Sequence, residues 1–376
     1  MDTQDIKRGA NSLNWVHQKN DSVLFMKKTM TLQQFFRQGW VICGVVLLTL
    51  ILILLPWHRI CNPGLYKNGI IEPEQLNITP AFTRQAEKGK AEMKESSIVI
   101  CALGRNISDV FESNREKLER IGSMFKTYKI VLFENDSTDD SRDLFQEWEK
   151  ANPHVILLQC FDDSGSRECK YKSKSAYADG SLHPNRFHRM AYYRNQYLNY
   201  VKNRLPNYDY MMVFDLDLKG GISLDGIAHS FDPSVLPKWD MVCASGYKMS
   251  PWVFMGGRRL YDGLAYVPYE KGFYEPVSLI SLILSMNRTC DKRIGSDLVP
   301  IYSGFNGLAI YKIQAIMKAN YSAPRCEHLG LHRDMIRQGK KLFMSPSMVM
   351  YIDSVGPTMD TLDINFLQII FGTLPN

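Results

Sequence analysis

Between Ser97 and Asp217, apolar runs of strand length alternate with segments of helical spacing, and no other feature restricts the fold of this chain so strongly. SIVICAL is β-branched and apolar and ends at Gly104, as a buried strand does. ISDVFESNREKLERIGSMF then sets Val110, Phe111, Leu118, Ile121 and Phe125 near helical spacing and leads to a second strand, YKIVLFEN. A helix over STDDSRDLFQEWEKA, with Ser137 as its expected N-cap, leads to HVILLQC. A third helix, RFHRMAYYRNQYLNYVKNRL, leads to YDYMMVFDLDL. Strands alternating with helices predict the α/β class, a mostly parallel sheet with helices on both faces. Ligands of such sheets bind beyond the carboxyl ends of the strands, so the residues directly after each strand are where chemistry is expected.

Ahead of this domain lies a run of 19 uncharged residues, Gly39 to Trp57, close to the roughly 20 needed to cross a hydrocarbon core. It starts too far from the N-terminus, and is too long, for a cleaved leader. Six Lys/Arg precede it (Lys7, Arg8, Lys19, Lys27, Lys28, Arg37), whereas only Arg59 and Lys67 follow closely, which predicts a cytoplasmic N-terminus. The expected organisation is a tail over 1–38, a transmembrane helix over 39–57, a polar stem over 58–95 and a catalytic domain over 96–376. Within the last, the nucleotide-binding half runs to about 220 and the acceptor half follows. A single-pass type II protein of the Golgi membrane with a lumenal domain is expected, and a bacterial inner membrane is the alternative. Asn77, Asn106, Asn287 and Asn320 begin glycosylation sequons that suit the first.

A formal net charge of +6, about half of it in the first 38 residues, leaves no nucleic-acid footprint. The eight cysteines lack finger spacing, which argues against structural zinc, and Cys160 with Cys169 is the closest pair for a disulfide.

The most informative segment is MMVFDLDL, a buried strand whose end carries Asp215 and Asp217. In an extended chain carboxylates at i and i+2 share a face, with Leu216 on the other. A hard divalent cation takes carboxylate oxygens and leaves positions for substrate phosphates, so Mn2+ or Mg2+ bridging a diphosphate is expected here. The competing reading is a solvated acidic turn.

The other strand ends add binding groups. Ala102, Gly104, Arg105 and Asn106 close the first strand, the glycine allowing backbone to approach a nucleotide and the arginine offering a cation to phosphate. Glu134, Asn135 and Asp136 follow the second, where they would grip a base or ribose, or simply form a capped turn. Arg189 and Arg194 on the third helix are candidate diphosphate clamps, with Asn195 for a strand end or the sugar and Lys219 for the departing phosphates. Trp252, Tyr261 and Asp262 are candidates for an acceptor wall, because sugars turn apolar CH faces to aromatics and hydroxyls to carboxylates. Asn306, flanked by glycines, suggests backbone held close to the donor sugar. Glu327, Asp262 and Asp297 compete as the base for an acceptor hydroxyl. His328 and His332, at i and i+4, share a helix face and are candidate metal ligands.

The acidic ENDSTDDS turn, the helix with YYRN and the strand with FDLD together resemble the GT-A glycosyltransferases. In that group the acidic turn contacts the nucleoside, the Arg/Asn helix supports the donor, DxD binds the metal and a late histidine completes its shell. The order Cys243, RLYDGLA at 259–265, SGFNGLAIY at 303–311 and Cys326-Glu327-His328 is similar to the fungal capsule-associated mannosyltransferases. The resemblance spans residues 97 to about 350 and implies a GT-A, Rossmann-like fold. It also implies transfer of a hexose, mannose in that family, from a GDP- or UDP-sugar to a glycan hydroxyl. The alternatives are a metal-dependent nucleotidyltransferase, for which no Gly-rich loop precedes the acids, and a membrane-tethered glycan-binding protein without activity.

Overall fold

Strand β1 (Ser97–Gly104) lies at the middle of the parallel part of the sheet, because its side chains are apolar on both faces. Val99 and Cys101 enter one core, while Ile98, Ile100 and Ala102 enter the other. The computed structural model describes residues 69–73, 76, 78–159, 184–248, 259–269, 292–323 and 326–352, together with Gly44 and Thr49. The chain divides into two compact units, residues 1–56 and 57–376. Of the first unit, only Gly44 and Thr49 are described, both helical. The rest of the apolar run 39–57 lies outside the described residues, among which no helix is long and apolar enough to cross a membrane.

The elements of the second unit begin with α1 (Pro80–Met93), followed by β1, α2 (Phe111–Ser123), β2 (Thr127–Glu134), α3 (Ser141–Ala151) and β3 (Val155–Gln159). Next come α4 (Pro184–Arg204), β4 (Tyr210–Asp215), α5 (Leu224–His229), β5 (Met241–Lys248), β6 (Arg259–Leu260) and β7 (Val267–Pro268). The described chain closes with β8 (Val299–Ser303), β9 (Leu308–Lys312), α6 (Ile313–Ile316), α7 (Glu327–Arg337) and β10 (Leu342–Tyr351). The strands form one sheet in the order β3-β2-β1-β4-β9-β5-β10-β8-β7, with β6 on β5.

The expected parallel pairing holds near the core, and the sheet as a whole is mixed. Strands β3, β2, β1 and β4 are parallel, but β9 pairs antiparallel with both β4 and β5, and β8 runs antiparallel to β10. The βαβ succession that gives parallel pairing runs from β1 to β4, and in the second half β10 keeps it with β5. Helices do cover both faces. Leu118, Ile121, Phe145 and Trp148 of α2 and α3 pack on one side, and Tyr197, Leu198 and Val201 of α4 with Leu329 and Met335 of α7 on the other.

The expected stem is also corrected. Ile70 and Ile71 are buried, and Ile71 N–H and Gly69 C=O both bond to Ile222. Helix α1 buries Phe82, Ala86, Gly89 and Met93, one stripe down an otherwise charged helix. A Cβ on Gly89 would lie 1.8 Å from the Ala228 carbonyl oxygen, so only glycine lets α1 lie so close to α5. The described residues between 69 and 95 are therefore part of the packed body.

The N-cap of α3 is Asp140, in place of the expected Ser137. Cys101, Cys243 and Cys326 are buried, while Cys160 and Cys169 lie outside the described residues, as do Asn77 and Asn287.

Candidate active site

Strand order reverses at β1, with β2 on one side and β4 on the other, and a crevice opens beyond the carboxyl ends of such neighbours. A cavity of about 560 Å3 lies there. Leu103 and Arg105 reach it from the end of β1, Asn135 from β2, and Asp215 and Asp217 from β4. Arg186, Arg189 and Arg194 reach it from α4, Tyr261 and Asp262 from the turn after β6, Phe305 from the β8–β9 loop, and Glu327 and His328 from the start of α7.

The chain leaves extended geometry after Asp215, so Leu216 and Asp217 form a turn, and the expected strand-face pairing of the two acids is corrected. They share the cavity wall because the turn carries Asp217 round to it. Burial, reinforced by the charges of Asp217 and Asp262, raises Asp215 to about 7, while Arg194 opposes the shift.

Arg194 is corrected from a diphosphate clamp to an internal counter-ion. It is 3% exposed, and its guanidinium donates to Glu327 Oε1, Tyr197 Oη and Asp215 Oδ1, each at 3.1 Å. Its carbon also lies 5.0 Å from the centre of the Phe305 ring. Among the described residues Arg105, Arg186 and Arg189 also line the cavity, Arg186 having been missed in the sequence although it lies one turn before Arg189.

Asp262 lines the cavity and accepts the Ala265 N–H at 3.2 Å. Burial and the negative charge of Glu327 push it up to about 6. Glu327 itself is committed to Arg194. Asp297 is removed from the site, since its side chain is 96% exposed, faces Lys238 at 3.6 Å and does not line the cavity.

The two histidines part ways. His332 is fully buried, its Nδ1 paired with Ser303 Oγ at 2.8 Å and its Nε2 with Tyr311 Oη at 3.0 Å, so it has no nitrogen to offer a metal. His328 stacks on Phe305 at 4.0 Å, lines the cavity, and leaves both ring nitrogens buried with no hydrogen-bond partner. Burial, aided by Arg194 and His332, pushes its pKa well down, which keeps the imidazole neutral, the form that ligates metals. Two carboxylates and a neutral imidazole are donor types that suit Mn2+. Among the described residues no three such groups stand close enough to hold an ion as they are. The donor types are thus present without an assembled nest.

Several expected contacts turn out to be structural. Gly104 admits a ring where a nucleotide was expected, since a Cβ there would lie 2.3 Å from Phe145, and Ala102 is buried in β1. Glu134 is fully buried, accepting Ser137 N–H at 2.7 Å and facing Arg142 at 3.4 Å. Asn106 accepts Thr138 N–H at 2.7 Å and donates its own N–H to Ser137, so the acidic turn is zipped to the loop after β1. Asp136 takes a positive φ of 59° in that turn and lies outside the cavity wall.

Asn195 clamps the Tyr321 backbone with two hydrogen bonds, of 2.9 and 3.0 Å, and takes no place at a strand end. Asn306 is buried and donates to Ala244 C=O at 3.0 Å, tying the β8–β9 loop to β5. Lys219 pairs with Asp109 at 3.0 Å, away from the cavity wall. Trp252 lies outside the described residues.

No protein-family model and no curated protein matches the chain. Among solved structures it is similar to the mannosyltransferase PcManGT from Pyrobaculum calidifontis in complex with GDP-Man and Mn2+, at 10% identity and a TM-score of 0.41. That alignment covers 72% of this chain and 64% of the other. It is similar to GalNAc-T7 with UDP, GalNAc and Mn2+ at 12% identity and a TM-score of 0.40, covering 78% and 58%. A mycobacterial protein aligns at 10% identity and a TM-score of 0.36, covering 71% and 69%. The chain spans less than two thirds of the length of the first two. Likeness at this level assigns no activity.

Proposed function

We propose that the chain is a divalent-metal-dependent glycosyltransferase of the GT-A kind, moving a hexose such as mannose from a GDP- or UDP-sugar to a glycan hydroxyl. The observation that carries this reading is the company Asp215 and Asp217 keep. They share one cavity at a strand-order reversal with Arg105, Arg186 and Arg189, which suit a diphosphate, and with Asp262, which suits a proton.

Asp215, Asp217 and His328 are the residues that would hold Mn2+ or Mg2+. Such a cation, when bound, stabilises the charge of a leaving diphosphate. The arginines bind and orient the donor phosphates, for which planar, multidentate guanidinium groups are suited. Arg194, buried beneath, pairs with both Asp215 and Glu327 and fixes the two carboxylates in place. Asp262, with a pKa raised toward neutrality, takes the proton of the acceptor hydroxyl, since a base titrating near the working pH is most effective. Tyr261 beside it offers a ring to an acceptor sugar.

The run 39–57 is read as a signal-anchor that tethers this domain in the Golgi lumen, a bacterial inner membrane being the other location that suits the charge pattern.

The test is a thermal-shift screen of the purified full-length chain against GDP, UDP and CMP, each with and without Mn2+. A ligand that binds the folded form alone raises its melting temperature. A rise with one nucleoside diphosphate that needs Mn2+ is expected, and the absence of any rise with all three nucleotides sinks the reading.

A further inference from the structure

Behind the turn that carries Asp217, two polar side chains are buried where α2 packs on the sheet. Asn114 is 0% and Lys117 1% exposed. The Asn114 amide spends both hydrogens on the turn, donating to Leu216 C=O at 2.7 Å and to Leu218 C=O at 3.1 Å, the carbonyls on either side of Asp217. Its Oδ1 accepts from Lys117 Nζ at 3.0 Å, and the same ammonium lies 3.4 Å from Leu218 C=O.

No carboxylate pairs with this lysine among the described residues, and burial alone lowers its pKa to about 8. An ammonium taken out of water without a counter-ion is costly, and α2 needs only an apolar side chain at that position to pack. Gly69 closes the far side, because a Cβ on it would lie 2.1 Å from Lys117 Cε. From Gly69 the chain runs directly to Ile71, which bonds to Ile222 beyond the same turn.

We propose that Asn114 is a positioning residue for the metal site, a buried latch that holds the 216–218 turn so that Asp217 faces the cavity, with Lys117 orienting its amide. The role in metal binding rests on the reading of Asp215 and Asp217 given above; the latch itself does not.

The experiment uses the full-length chain in wild-type form and as Asn114→Ala, Lys117→Met, Asp217→Ala and Leu118→Ala. It measures hydrogen exchange of the metal-free protein over 216–221 and Mn2+ affinity from the electron paramagnetic resonance of the free ion. Asn114→Ala is expected to speed exchange in the turn while leaving the β4 amides at their wild-type rate. It should weaken Mn2+ on the order of tenfold, the lower end for groups that orient a metal ligand. Lys117→Met should move both in the same direction by less. Leu118→Ala, which loosens the same helix without touching the turn, should lower the melting temperature and leave Mn2+ affinity unchanged.

Wild-type exchange over 216–221 in folded Asn114→Ala overturns the latch. If that variant does not fold, wild-type exchange in Lys117→Met overturns it instead. Failure of the wild-type protein to bind Mn2+, or undiminished binding by Asp217→Ala, overturns the metal reading separately, while the exchange result still decides the latch.

Discussion

Arg194 donates to Asp215 Oδ1 at 3.1 Å from beneath the cavity, so the acid that sequence reasoning reserves for a metal already has a fixed partner. The same guanidinium holds Glu327. Removing it leaves both acids without their buried cation, and breaking such a pair from one side costs more than the pair contributes. Arg194→Met should destabilise the protein by about 3 kcal/mol in urea unfolding. Arg194→Lys should recover only part of this, because an ammonium cannot span Glu327, Tyr197 and Asp215 in the plane that a guanidinium does. A loss below about 1 kcal/mol, the worth of an exposed pair, would show the acids to be held by something else.

Gly89 decides whether α1 is spacer or body. On an exposed helix Gly→Ala gains about 1 kcal/mol from propensity alone. Here the new Cβ would strike the Ala228 carbonyl oxygen, a backbone atom that cannot swing away. Gly89→Ala should therefore destabilise by about 1–3 kcal/mol, as overpacking does. A gain in melting temperature would return α1 to the stem.

The first four strands and the helices between them were legible because each keeps a single period, and the DxD pair because it follows a strand buried on both faces. The burial of helix α1 was hidden by its charge. Its stripe of Phe82, Ala86, Gly89 and Met93 is regular, yet the glycine and the lysines around it mimic a linker. The site residues went astray where the deciding partner is remote in sequence. Arg194 meets Glu327 across 133 positions, and His332 meets Ser303 and Tyr311 from separate strands, so nothing local distinguishes a committed group from an available one. Asn114 gave no signal because a buried asparagine inside a helix reads as an exposed one until its neighbours are known.

His229 sets an acid limit on stability. It is 2% exposed, stacks on Phe82, and both its ring nitrogens lack hydrogen-bond partners. Burial lowers its pKa below the ordinary 6.5, with Lys238 adding to the shift and Asp232 opposing it. The unfolded chain then binds the proton more tightly than the folded one, so stability is intact above 6.5 and falls as pH drops through and below it. His229→Phe keeps the stack and removes the proton. Its stability relative to wild type should rise as the solution is acidified, measured by urea unfolding at a series of pH values. Parallel losses in the two proteins would clear His229 of the effect.

Asp262 makes the sharpest link between geometry and rate. A carboxyl that accepts the acceptor's proton must be ionised, and burial together with the Glu327 charge holds it protonated up to about pH 6. The rate of sugar transfer should therefore climb with pH and level off above that value, about tenfold per pH unit on the rising limb. A bound cation nearby favours the ionised form, so it moves the limb toward acid and never toward base. Asp262→Asn keeps the shape and the Ala265 contact but cannot take a proton, and it should lower the rate about 10²–10⁴-fold and abolish the limb. Nucleotide-induced stabilisation should survive in the same variant, because the arginines proposed to meet the phosphates are untouched. A variant that lost nucleotide binding and kept the limb would move the base to Glu327, with Arg194 then having to release it.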